Sequence, residues 1–482
     1  MARSHRFQFV LPAFLFTILL AGGCGEAENP QGGGKSSSLP RFKREPVEMA
    51  RLTYPVSRTV DQVDDYHGTE VADPYRWLED VDSPDTKDWV ARQNELTFGW
   101  LETIPARQQY VDRLTELWNY EKYGTPFREG GKTFFYKNDG LQNQYVLYVQ
   151  DTPDGEPRVL LDPNELSEDG TVALGEVSIS RDGKYLAWST SVSGSDWRTW
   201  YVRDIATGED LKDKVQWSKF SDASWDRDGR GFYYSRYEAP RQGEAFEGTN
   251  FFQKLYYHEV GTHQKHDLLV YERPDHKDWG ISGTVSEDGR YLVMYIWQGS
   301  SRENGIFYKD LFDKSLHVHE MLADFDASYT FLGNDGPVFF LQTNLDAPRH
   351  RIVAVDINRP EPAHWKTVIP EGDDPIDSAT ILDGSFVVRT MRDVASVVKV
   401  YDLDGTFKNE IALPGLGTVG GFDVHMEDTE TYFTFIGFLN PGEIYHYDFR
   451  TRESTLFRKP DLDFEFDLYV TKQIFSEGED GT

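Results

Sequence analysis

The 482-residue sequence has a single cysteine, Cys24, so an internal disulfide is excluded, as is a metal centre built on several thiolates. A positive charge balance is also lacking, because 81 acidic residues against 50 basic ones leave a net charge of −31. That balance repels nucleic-acid phosphates and gives no basic patch for an anionic membrane. It fits a solvated acidic surface, a salty habitat or an acidic field that steers cationic peptides. Methionine is scarce, at 6 residues, beside 26 tyrosines and 31 phenylalanines, which suits sheets better than helix bundles. No Gly-x-Ser-x-Gly nucleophile elbow occurs. Ser180 and Ser286 stand near acids, but as turn residues ahead of Asp-Gly. Metal-ligand spacings fail in the same way. His258 and His263 are five apart with Gly261-Thr262 between them, so they cannot share a helix face as zinc ligands do. His317 and His319 share a strand face without a third ligand. Asp80, Asp82 and Asp85 lack the glycine and the terminal glutamate of a calcium loop.

The position of the one cysteine is informative. Met1 to Arg6 form a basic start, Phe9 to Leu20 an apolar run short for a membrane span, and Ala21-Gly22-Gly23-Cys24 a small-residue close. Residues 1–24 thus resemble a bacterial lipoprotein signal, with Cys24 as the lipid-attachment residue and Ala21 standing where leucine is commoner. An ordinary cleaved signal and an uncleaved anchor remain the alternatives. Residues 25–50, with Gly32-Gly33-Gly34 and Ser36-Ser37-Ser38, read as a flexible tether. The expected location is the bacterial cell envelope, lipid-anchored or periplasmic after export, with membrane contact only through Cys24.

Residues 51–120 read as helical. Ser83-Pro84-Asp85-Thr86 supplies a capping hydroxyl, a proline in the first turn and an acid near the positive helix end. Trp89, Leu96 and Trp100 recur at near-helical spacing, and Tyr110, Leu114, Leu117 and Trp118 form a second stripe. Both stripes need a partner surface, and no other long amphipathic helix is evident.

From residue 121 to 465 the pattern changes to short strands and tight turns. The fullest turns are Ser180 to Leu186, Asp226 to Phe232 and Ser286 to Leu292, with weaker copies at Gly130-Gly131, Asn334-Asp335-Gly336, Leu382-Asp383-Gly384 and Glu427-Asp428-Thr429. Asp-Gly fits a type I′ turn, whose two central residues need positive φ. After each turn comes an aromatic-rich or β-branched strand ending near an acid: Asp151, Asp204, Glu259, Asp310, Asp356, Asp402 and Asp448. Two signals that each recur seven times predict a mainly β fold, a seven-bladed propeller, with the strand before each Asp-Gly turn lining the central channel.

Several stretches resemble prolyl oligopeptidases, a family of serine peptidases, and its proline-specific branch in particular. These are Asp73 to Asp80, Gln93-Asn94, Gly140 to Gln144, Leu161 to Asn164, Ser193 to Trp197, Gln253 to His258 and Phe438 to Gly442. The resemblance implies a propeller capping an α/β-hydrolase domain on which the N-terminal helices pack. It implies a base-activated serine cleaving short peptides after proline, with the propeller filtering substrates by size and with no organic cofactor or metal. Residues 466–482, with Tyr469 to Phe475, resemble the first strand of that hydrolase domain. The family's catalytic triad would lie downstream, so no catalytic residue is carried over and the chain alone is expected to be inactive. Phe220 matches a family phenylalanine that projects toward substrate, and it falls on an expected channel-lining strand; blade packing is its other reading. The expected partners are short proline-containing peptides and the hydrolase domain, not nucleic acid. The alternative is a non-enzymatic TolB-like binding propeller on a lipid tether.

Overall fold

The computed structural model describes residues 52–241, 250–315, 317–422 and 425–478. Cys24, the leader and the tether lie outside them. The described chain forms two compact units, divided between Arg113 and Leu114.

In the first unit, α1 (Pro84–Glu102) starts as its sequence dictates. Ser83 adopts extended backbone, its hydroxyl accepts the Thr86 N–H at 3.2 Å, and Pro84 fills the first position, where a missing N–H costs nothing. Ahead of it, Arg76 pairs with Asp73 at 2.8 Å and with Asp64, so this acidic stretch is answered by a guanidinium. The next helix, α2 (Arg107–Trp118), runs into the second unit. Its stripe of Tyr110, Leu114, Leu117 and Trp118 is exposed along its whole length.

The second unit is a ring of antiparallel sheets, each built from consecutive strands. Its core lies between the faces of successive sheets. Tyr291, Val293 and Ile306, for instance, pack against Phe339, Leu341 and Val353 of the next sheet. Side chains close the ring between its first and last sheets, through Thr125–Thr434 at 2.6 Å, Arg128–Glu430, and Arg458 placed 4.0 Å over the Tyr123 ring.

The expected count of seven blades is corrected. Five sheets are blade-sized, one of five strands within 122–161 and four of four strands within 279–322, 329–369, 376–411 and 418–458. The remaining sheet is a single one of eight strands within 172–271. It is continuous because Ser218 pairs with Arg236 across what would otherwise be a break. Two turn repeats, at Gly183 and Gly229, therefore fall on one sheet, and counting turns overcounted sheets.

The turns also differ in type from the one expected. Gly183, Gly229 and Gly289 have positive φ, but the aspartates before them do not. In each, the glycine N–H donates to the residue three before it: Gly183 to Ser180 at 2.7 Å, Gly229 to Asp226 at 3.2 Å and Gly289 to Ser286 at 2.8 Å. These are longer hairpin loops with a left-handed glycine. Only Asp383-Gly384 and Gly130-Gly131 have positive φ at both positions. The recurring acids have a local role as well. Asp310, Asp356 and Asp448 each accept the N–H two residues on, which starts the turn to the outer strand.

The strand expected at residues 469–475 does not form. Those residues carry no secondary structure, and Val470, Ile474 and Phe475 are exposed. Their apolar pattern fits a strand only where a neighbour supplies the hydrogen bonds.

Candidate functional site

Within each sheet the inner strand runs toward its Asp-Gly turn, so the loops that enter the inner strands lie at the opposite end of the ring. Phe220 is at that loop end. It sits in the connection between Asp210–Ser218 and Ser224–Trp225, not on a strand as expected. Trp217 and Phe220 take φ of 65° and 52°, a region unfavourable for bulky side chains. The chain leaves the strand there because hydrogen bonds hold it out. The Tyr237 N–H donates to the Trp217 carbonyl at 3.0 Å, and the Ser235 N–H donates to the Ser221 hydroxyl at 2.7 Å. Gln253, fully buried, donates to the Lys219 carbonyl at 2.7 Å and accepts the Ile281 N–H at 2.7 Å. The loop is thereby fixed to the next inner strand, and the Phe220 ring is left 56% exposed.

Aromatic residues surround it. Trp197 meets Trp217 edge-on at 5.7 Å and Tyr237 at 6.2 Å, while the Lys219 ammonium lies 4.5 Å over the Trp197 ring. Phe251 and Phe252 are part-exposed in the connection that precedes the inner strand Lys254–Glu259 side of the same sheet, with the Lys277 ammonium 4.5 Å over Phe251. This end offers apolar rings and cations, and no nucleophile–base pair.

The histidines and serines set aside on sequence stay outside any catalytic constellation. Ser180 and Ser286 are buried, and their hydroxyls donate to Asp182 and Asp288 of their own turns. His258 is buried between Asp267, at 2.7 Å, and Asp213, at 3.0 Å. Burial, the largest influence, lowers its pKa, but the two carboxylates outweigh it and hold it up to about 9. His263 caps a short 3-10 turn by accepting the Lys265 N–H. His319 stacks on Tyr308 at 4.7 Å beside His317, lining a pocket of about 380 Å³ with Glu320, Met321 and Ile357. Among the described residues no three His, Cys, Asp or Glu side chains form a metal-holding group.

Sequence reasoning missed a second polar cluster. His425, in no motif, contacts Glu129 and Glu287, each at 2.9 Å. Only the three-dimensional meeting of turns far apart in sequence reveals it.

A propeller with a pinned aromatic loop end and no hydrolytic constellation among its described residues defines a binding or gating module. Comparison with known proteins gives its family. Residues 54–460 match the model described as prolyl oligopeptidase, N-terminal beta-propeller domain, and the chain belongs to that family. It is 37% identical over 431 residues to the prolyl endopeptidase of Elizabethkingia miricola, covering 89% of this chain and 60% of the relative. It is 32% identical over 483 residues to prolyl oligopeptidase A of Amanita bisporigera, covering 89% and 61%. A solved prolyl endopeptidase structure superposes with a TM-score of 0.80 at 31% identity, covering 89% of this chain and 63% of that one. Prolyl oligopeptidase B of Galerina marginata, solved with a 35mer hydrolysis and macrocyclization substrate, gives 0.79 at 28%, covering 89% and 64%. The chain thus spans about 60% of the length of the curated relatives it matches.

Proposed function

We infer that this chain is the N-terminal and propeller portion of a serine endopeptidase that cleaves short peptides after proline. Its propeller gates access to a site carried on an α/β-hydrolase domain. The observation that carries the reading is the match of residues 54–460 to the family's propeller. The exposed stripe of Tyr110, Leu114, Leu117 and Trp118 is a surface suited to that hydrolase domain. Phe220 is held rigid yet exposed and contacts the apolar part of the peptide, and no metal or organic cofactor takes part. Hydrolysis belongs to the absent constellation, in which a serine attacks the carbonyl and an oxyanion hole holds the developing charge. Cys24 carries the lipid, and the tether keeps the folded units off the membrane of a bacterial envelope.

The test joins this chain to the hydrolase portion of the Elizabethkingia miricola relative and assays a proline-containing reporter peptide. The fusion is expected to cleave it, the 482-residue chain alone is not, and Phe220→Ala in the fusion should raise KM several-fold more than it lowers kcat. Cleavage by the purified chain alone would overturn the reading.

A further inference from the structure

The Asp-Gly end of the ring holds a cluster that gating at the loop end does not use. Around this end the turns touch their neighbours in order. A Cβ on Gly130 would lie 2.2 Å from the Gly183 nitrogen, Gly229 faces Asp182, and Gly289 faces Arg227. Asn334 continues the series by donating to Asp288 at 2.8 Å.

Two contacts break that order. His425 Nδ1 lies 2.9 Å from Glu287, although the sheets within 329–369 and 376–411 stand between theirs. Arg181 pairs with Glu287 at 3.3 Å and also donates to its carbonyl, passing the turn at Asp226 to Gly229. Side chains from turns that are not ring neighbours can meet only across the axis. His425 Nε2, 2.9 Å from Glu129, completes the chain of contacts back to the first sheet.

We propose that this end of the axial channel is closed by an ionic brace, Glu129–His425–Glu287–Arg181, which ties four turns together across the ring and bars solutes from entering there.

The charges balance in this arrangement. Both imidazole nitrogens face carboxylates, and both can donate only when the ring is protonated. The protonated ring and Arg181 then offset Glu129 and Glu287. Hydrogen bonds to Glu129 and Glu287 outweigh burial and hold His425 up to about 10, so the brace stays formed through the neutral range. Burial, the largest influence on Glu129, pushes its pKa up, and the His425 contact works against that rise. The other charged groups near the brace are occupied. Asp428 accepts the His425 backbone N–H at 2.9 Å, Asp182 accepts from Ser180, and Asp288 accepts from Ser286 and Asn334.

The test uses the 482-residue chain. NMR follows the His425 ring as pH is raised, and a dissolved neutral paramagnetic probe reports access through broadening of the Val285 methyls beside the brace. In the native chain the His425 midpoint is expected about two units or more above that of exposed His67, with little probe broadening. Glu287→Gln should lower the midpoint by about a unit or more and raise the broadening several-fold. An unchanged midpoint in that variant would overturn the cross-ring contact. A lowered midpoint with unchanged broadening would overturn the closure. If the variant does not fold, raising the pH through the native His425 titration gives the same reading: broadening should rise there, and its failure to rise would overturn the closure.

Discussion

The two ends of the ring handle backbone strain in opposite ways. At the turn end, positive φ falls mainly on Gly130, Gly131, Gly183, Gly229 and Gly289, so backbones touch and polar side chains fill the axis. At the loop end it falls on Ser193, Trp217, Phe220, Phe252 and His350, and large rings stay exposed. Glycine adopts that conformation without steric cost. A bulky residue does not, and persists there only when its surroundings over-determine it, as Gln253, Ser221 and Tyr237 do around Phe220. One end is built to hold the ring, and the other to present side chains.

Substitutions can break that contrast. The largest effect is expected from Asp267→Ala near the turn end. It strips His258 of a buried partner and leaves the Tyr234 hydroxyl without the carboxylate it donates to at 2.6 Å, costing about 3–5 kcal/mol in urea unfolding. Gly130→Ala should follow at about 2–3 kcal/mol, because its Cβ has no room beside Gly183 and φ is 55°. The pH dependence comes next. His258 and His425 are both raised in the fold, so the stability they add is fully present below their unfolded value of about 6.5. It should be lost as pH climbs toward about 9 and about 10, seen as a falling Tm across that window. Smallest is Phe220→Ala at the loop end, expected to change stability by less than about 0.5 kcal/mol in the same unfolding assay. A loss of several kcal/mol there would make Phe220 a packing residue and remove the contrast.

Much of the local structure was legible in the sequence. Ser83 and Pro84 announced α1, and each Asp-Gly marked a hairpin, because caps and left-handed glycines are decided by neighbours a few residues away. What was hidden depended on distant partners. The single Ser218–Arg236 pair that fuses two repeats into one sheet carries no local signal. Phe220 left its expected strand because Gln253, 34 residues on, holds the loop. Residues 469–475 look like a strand but lack a neighbour among the described residues. His425 gave no sign at all, since Glu129 and Glu287 lie 296 and 138 residues away.

Titrating the isotopically labelled 482-residue chain with a proline-containing octapeptide, at millimolar concentration, tests the division of labour most directly. Shifts are expected at Trp197, Lys219, Phe220 and Tyr237, with none at Arg181, Glu287 or His425. Shifts at the turn end with a silent loop end would contradict the account.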